Sequence, residues 1–96
     1  MSKQDAYIEK AKAQLDEQIA QLDQLKARQR QAEADDKIKK QEKINELEKK
    51  IEDAKDYVSK LADAAEDTWE DLKNKVEDVG ENISNSLKKL FGRDDE

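Results

Sequence analysis

Residues 44–65 read INELEKKIEDAKDYVSKLADAA. Within them Ile44, Leu47, Ile51, Ala54, Val58, Leu61 and Ala65 are separated by alternating steps of three and four, while most intervening positions are polar or charged. On a helix those steps return to one face, so the stretch predicts a helix with a heptad seam. A strand would need its apolar residues at every second position, and this stretch has none of that alternation.

Upstream the pattern fails. Ile38 lies six residues before Ile44, out of phase with it, and no large apolar residue occurs between Leu25 and Ile38. The gap, residues 26–37, gathers Glu33, Asp35 and Asp36, and it predicts a turn near residues 31–35. Before the gap, Ile8, Ala11, Leu15, Ile19 and Leu22, with Leu25 beside them, form another stripe at helical spacing. Ser2 stands where it can cap that helix, with Asp5 three residues on, and Lys26, Arg28 and Arg30 close it with charge that suits a helix C-terminus.

Downstream, Trp69, Leu72, Val76, Val79, Ile83, Leu87, Leu90 and Phe91 make a third stripe. Its phase slips between Ala65 and Trp69, which is either a stutter in one long helix or a break between two. Asp63, Glu66, Asp67, Glu70 and Asp71 crowd the same place with no base among them. They would repel at i,i+4 inside a helix and are favoured at a helix start, and Asp67 with Glu70 has the spacing of a capping box. Ala62, Ala64 and Ala65 favour helix straight through. Helical segments are therefore expected over 4–31, 35–65 and 67–91, with 92–96 as an acidic tail, in a single domain spanning 1–96. The fold class is all-α and elongated: an antiparallel three-helix arrangement or a long helical hairpin, with coiled-coil seams.

Composition supports this class. Of 96 residues, 34% are hydrophobic and 46% charged, which suffices for a thin seam between helices but not for a thick core. Pro is absent and Gly occurs only at positions 80 and 92, so tight-turn chemistry is scarce. The net charge of −6 repels phosphate backbones, which argues against nucleic acid as a direct partner. With no Cys and no His, disulfide, thiolate–zinc and imidazole chemistry are excluded. The first residues lack a signal-peptide core and no run reaches membrane-spanning length, so the cytoplasm is the expected compartment.

The carboxylates invite a metal or hydrolytic reading, with Asp35-Asp36 and the 63–71 cluster the densest. A calcium loop needs alternating oxygen ligands, a central Gly and a terminal Glu, and that pattern is missing. Several acids have bases at i+4 instead: Glu33/Lys37, Asp36/Lys40, Glu46/Lys50, Asp56/Lys60 and Asp71/Lys75. No catalytic, cofactor-binding or metal-binding residue is assigned, no cofactor is implied, and the chain is not expected to be an enzyme. The interaction residues are those of the seams: Ile8, Leu15, Ile19, Leu22, Ile44, Leu47, Ile51, Val58, Leu61, Trp69, Leu72, Val76, Val79, Ile83, Leu87 and Leu90. Trp69 reads first as a seam anchor, and Tyr7 and Tyr57 as cover for the seam ends.

The string Asp67-Thr68-Trp69-Glu70-Asp71-Leu72-Lys73 resembles a group of small bacterial stress-response coiled-coil proteins. Ala13-Gln14-Leu15-Asp16-Glu17 and Lys43-Ile44-Asn45-Glu46-Leu47 are similar to that group as well, and the likeness spans roughly residues 7–75. Where the group often carries Ser-Gly ahead of the motif, this chain has Ala65-Glu66. The resemblance implies a role class, stress-associated or scaffolding, and no catalytic residues. The short apolar supply of each helix points to self-association as a dimer or small oligomer, with a further protein as an additional partner. The other reading is an amphipathic helix, residues 67–91, on a lipid or granule surface: Ile83, Leu87, Leu90 and Phe91 with Lys88, Lys89 and Arg93 beside them have the look of an interfacial helix. The upstream acids and the Asp94-Asp95-Glu96 tail oppose anionic lipid.

Overall fold

The computed structural model describes residues 2–31 and 34–92, with the side chains of 34–37 and 92 excepted. Three helices follow one another: α1 (Lys3–Gln29), α2 (Ala34–Asp63) and α3 (Glu66–Gly92). They pack into an antiparallel bundle of 49 × 22 × 19 Å. Its radius of gyration, 15.4 Å, exceeds the ~12 Å of a compact domain of this length, so the fold is elongated. The three-helix arrangement is the one adopted and the two-helix hairpin is not. The acidic tail and the side chains of Glu33, Asp35 and Asp36 lie outside the described residues.

The ends of α1 follow from the residues there. Ser2 accepts a hydrogen bond from the Asp5 backbone N–H at 3.1 Å and so satisfies one of the unpaired donors of the first turn. The helix closes two residues earlier than expected. The Arg30 N–H reaches the Lys26 carbonyl at 3.3 Å and the Gln31 N–H the Arg28 carbonyl at 3.0 Å, the tightened turn with which helices often end.

The α2 seam is buried at every one of its positions from Ile44 to Leu61, and Ile44, Leu47 and Leu61 are among the least exposed side chains. Ile38, out of phase, stays 67% exposed. Along α1 the buried residues are Ala11, Leu15, Gln18, Leu22, Leu25 and Gln29, a run of alternating fours and threes in which two glutamines stand at apolar positions. Ile8 and Ile19 flank that run half-buried. In α3, Trp69, Ile83 and Leu87 are buried, and Leu72, Val76, Val79, Leu90 and Phe91 are only half-covered.

The chain breaks at Ala64–Ala65, residues of high helix propensity. Magnitudes explain why. Continuing the helix there would gain a few tenths of a kcal/mol per alanine and one or two backbone hydrogen bonds, each about 0.5–1.5 kcal/mol net. Folding back buries Trp69, Ile83 and Leu87, each contributing roughly 1.5–3 kcal/mol. Tertiary burial wins. The capping box expected at Asp67 does not form. The Ala65 carbonyl accepts from the Thr68 N–H at 3.1 Å, the Trp69 N–H at 3.0 Å and the Thr68 hydroxyl at 3.1 Å, so Ala65 occupies the cap position. Glu66 and Asp67 sit one and two residues past the cap position and act instead on the helix dipole.

Two stability effects follow. Ala65→Ser supplies the side-chain acceptor that this helix start lacks and should raise stability by about 1 kcal/mol in urea unfolding; in a continuous helix the same change would lower it. Gly80 lies inside α3, and a Cβ built on it meets nothing within 4 Å. Gly80→Ala should therefore raise the unfolding free energy too, by roughly 0.5–1 kcal/mol, by reducing unfolded-state freedom.

Candidate interaction surfaces along the seams

The structure brings the sequence-assigned seam residues together within one chain. Leu15, Leu22, Ile44, Leu47, Ile51, Ile83 and Leu87 belong to one buried cluster, with Ile19, Val79 and Leu90 packed against it. Val58, Leu61 and Trp69 are also buried; Ile8, Leu72 and Val76 are half-covered. Cross-contacts fix the directions. Tyr7 meets Trp69 edge-on at 5.5 Å between ring centroids and the Arg28 guanidinium lies 5.2 Å over the Phe91 ring, so α1 and α3 run parallel. Lys26 pairs with Glu48, and Gln29 Nε2 donates to Gln41 Oε1 at 3.3 Å, so α2 runs against α1.

The three seams differ. Those of α2 with α1 and with α3 are closely packed, and each is bridged by a short connection. The α1–α3 seam has the sparsest packing and no connection of its own. An open groove runs along it, lined in part by Tyr7, Ala11, Gln14, Val76, Gly80 and Ser84. Its centre is polar. Gln18, only 4% exposed, donates from Nε2 to the Gly80 carbonyl and to Ser84 Oγ, both at 3.1 Å. A buried amide costs free energy unless it is so paired, and the pairing fixes the register of α1 on α3.

At the Tyr7 end the phenol donates to Glu77 Oε2 at 3.2 Å, and the Lys73 ammonium stands 5.5 Å over the Tyr7 ring. The Trp69 indole N–H is buried and has no hydrogen-bond acceptor among the described residues. Leaving such a donor unmet costs about 1–3 kcal/mol.

Sequence reasoning missed Gln18 and Gln29, because it looked for apolar residues. The signal that finds them is their place in the 11–15–18–22–25–29 spacing. Of the five expected i,i+4 ion pairs, Asp56 with Lys60 closes, at 3.2 Å. Glu46/Lys50 and Asp71/Lys75 do not form, and Lys75 instead lies 5.9 Å over the Tyr57 ring. Glu33/Lys37 and Asp36/Lys40 involve side chains outside the described set. Asp63, Glu66, Asp67, Glu70 and Asp71 are exposed around the α2–α3 break. Among the described residues no helix is long and apolar enough to cross a membrane, and no three potential metal ligands converge. No protein-family model, curated protein or solved structure matches the chain.

The Tyr7 environment has a pH signature. Burial first, then the charge and hydrogen bond of Glu77, push its phenol up to about 12 from an ordinary value of 10.0. Because the folded state favours the neutral phenol, this stabilisation is complete below pH 10 and is lost as pH rises through 12. Thermal melts across that window should show a steeper loss of stability for the native chain than for Tyr7→Phe.

Proposed function

We propose that the chain is a non-catalytic helical interaction protein of the stress-associated or scaffolding kind. One observation carries this reading: the strongest apolar residues of all three stripes are consumed inside the bundle, which leaves an elongated exterior dominated by charged side chains. Such a body acts through its surfaces. The string at residues 67–73 supports the stress-associated role class by resemblance. Self-association belongs to the same reading, and it would use residues the bundle half-covers, such as Leu72 and Val76, since the fully buried seam is already filled.

A second reading is favoured by α3 itself. Of its eight large apolar residues, Leu72, Val76, Val79, Leu90 and Phe91 are only half-buried, so the bundle covers its apolar face incompletely. A lipid or granule surface contacted through residues 67–91 would complete that cover.

Sedimentation velocity over a hundred-fold concentration range tests the first reading. The sedimentation coefficient should rise with concentration, and Val76→Asp should suppress the rise while leaving helicity intact. A monomer throughout removes self-association. Survival of a deletion strain under heat, salt and oxidant stress tests the role class: survival should fall several-fold and return with the restored chain, and unchanged survival counts against it.

A further inference from the structure

We propose that the α1–α3 seam is a built-in opening line, and that parting it lays the apolar faces of the bundle on a zwitterionic phospholipid surface. The proposal rests on the second reading above and deepens it by naming the surface and the movement.

Four observations carry it. The α1–α3 seam joins the two helices that are not consecutive in the chain, so it can part while each of them stays packed on α2. It is also the most sparsely packed and has an open groove along it. Its centre is held by the hydrogen bonds of Gln18 to Gly80 and Ser84, which exchange for water at low net cost, whereas a buried leucine there would lose its whole burial gain. At the Tyr7 end its contacts are polar or aromatic, the Tyr7–Trp69 edge contact, the Tyr7–Glu77 hydrogen bond and Lys73 over the Tyr7 ring, and the indole N–H there has no acceptor among the described residues. At a lipid–water interface indole and phenol rings keep their apolar bodies covered and find acceptors for their polar tips, so parting the seam relieves that unmet donor.

The charge pattern of α3 selects the surface. At 3.6 residues per turn, Lys73 and Lys75 fall on the two opposite borders of the apolar arc formed by Trp69, Leu72, Val76, Val79, Ile83 and Leu87. The Lys73 ammonium already lies over the Tyr7 ring and that of Lys75 over the Tyr57 ring. Asp67, Asp78 and Glu81 occupy the far side, and Glu77, which accepts from Tyr7, stands between them and Lys73. Border ammonium groups reach the phosphates, the far-side acids face water, and Glu77 at the border meets choline. The same acids, on a chain of net charge −6, repel an anionic bilayer.

The test locks the seam. A Gln18→Cys/Ser84→Cys chain is joined by a short reducible bis-maleimide linker and floated with phosphatidylcholine vesicles containing a brominated lipid that quenches Trp69. The cleaved protein should float and its emission should be quenched; the linked protein should bind at least ten-fold more weakly, without quenching. If linked and cleaved proteins float equally, the surface reading survives and the opening is overturned. If neither they nor the native chain floats, both fall. Binding that requires phosphatidylserine overturns the choice of surface. Gln18→Leu in the otherwise native chain gives an independent check: a tighter seam should lower vesicle binding several-fold, and unchanged or stronger binding overturns the role of the seam.

Discussion

The burial of the α2 seam is the interaction on which the other helices depend. Ile44, Leu47, Ile51, Ala54, Val58 and Leu61 leave α2 on one face, and a single facing helix would cover only part of that stripe. Two helices must converge on it, one from each side. That requirement sets the antiparallel return of α1, the break after Asp63 and the antiparallel course of α3. It also makes the α1–α3 seam the secondary one, because each outer helix is positioned first by α2.

A bundle with so little apolar surface has little to spare for specificity, yet it places two glutamines in seam positions. Gln18 reads the backbone of α3 at Gly80 and the hydroxyl of Ser84, and Gln29 reads Gln41 across the α1–α2 turn. A one-turn slip of either helix would leave these amides buried without partners, at a cost of about 1–3 kcal/mol each, whereas a leucine would accept several registers almost equally. Polar residues at single seam positions fix alignment in coiled coils at the expense of stability, and the same logic applies within this chain.

Surface charge contributes less to the fold than its abundance suggests. The ion pairs that do close, such as Lys55 with Glu52 at 3.6 Å and Lys60 with Asp56 at 3.2 Å, are exposed and local. Pairs of that kind stabilise by a few tenths of a kcal/mol. The ammonium groups of Lys73 and Lys75 stand over tyrosine rings instead of closing ion pairs. The acids at the break are arranged by the dipole of α3 and by mutual repulsion, with no partner required.

The sequence by itself determined that the chain is helical, where its stripes lie and that Ser2 begins α1, because spacing, propensity and caps are local properties. It also separated the first two stripes into two helices and identified residues 62–69 as the site of a break or stutter. Only the tertiary structure decided between the two. Ala64 and Ala65 favour helix, and the balance tips when Trp69, Ile83 and Leu87 find cover on α1 and α2, a gain invisible to any local window. The same holds for the cap: Asp67 had the right spacing, but the break fell two residues earlier, so Ala65 took the position. Gln18 shows the converse. Its place in the heptad was legible, but its meaning was not, since an amide in a seam is acceptable only where a carbonyl and a hydroxyl of another helix stand within 3.1 Å, and that depends on how the whole chain folds.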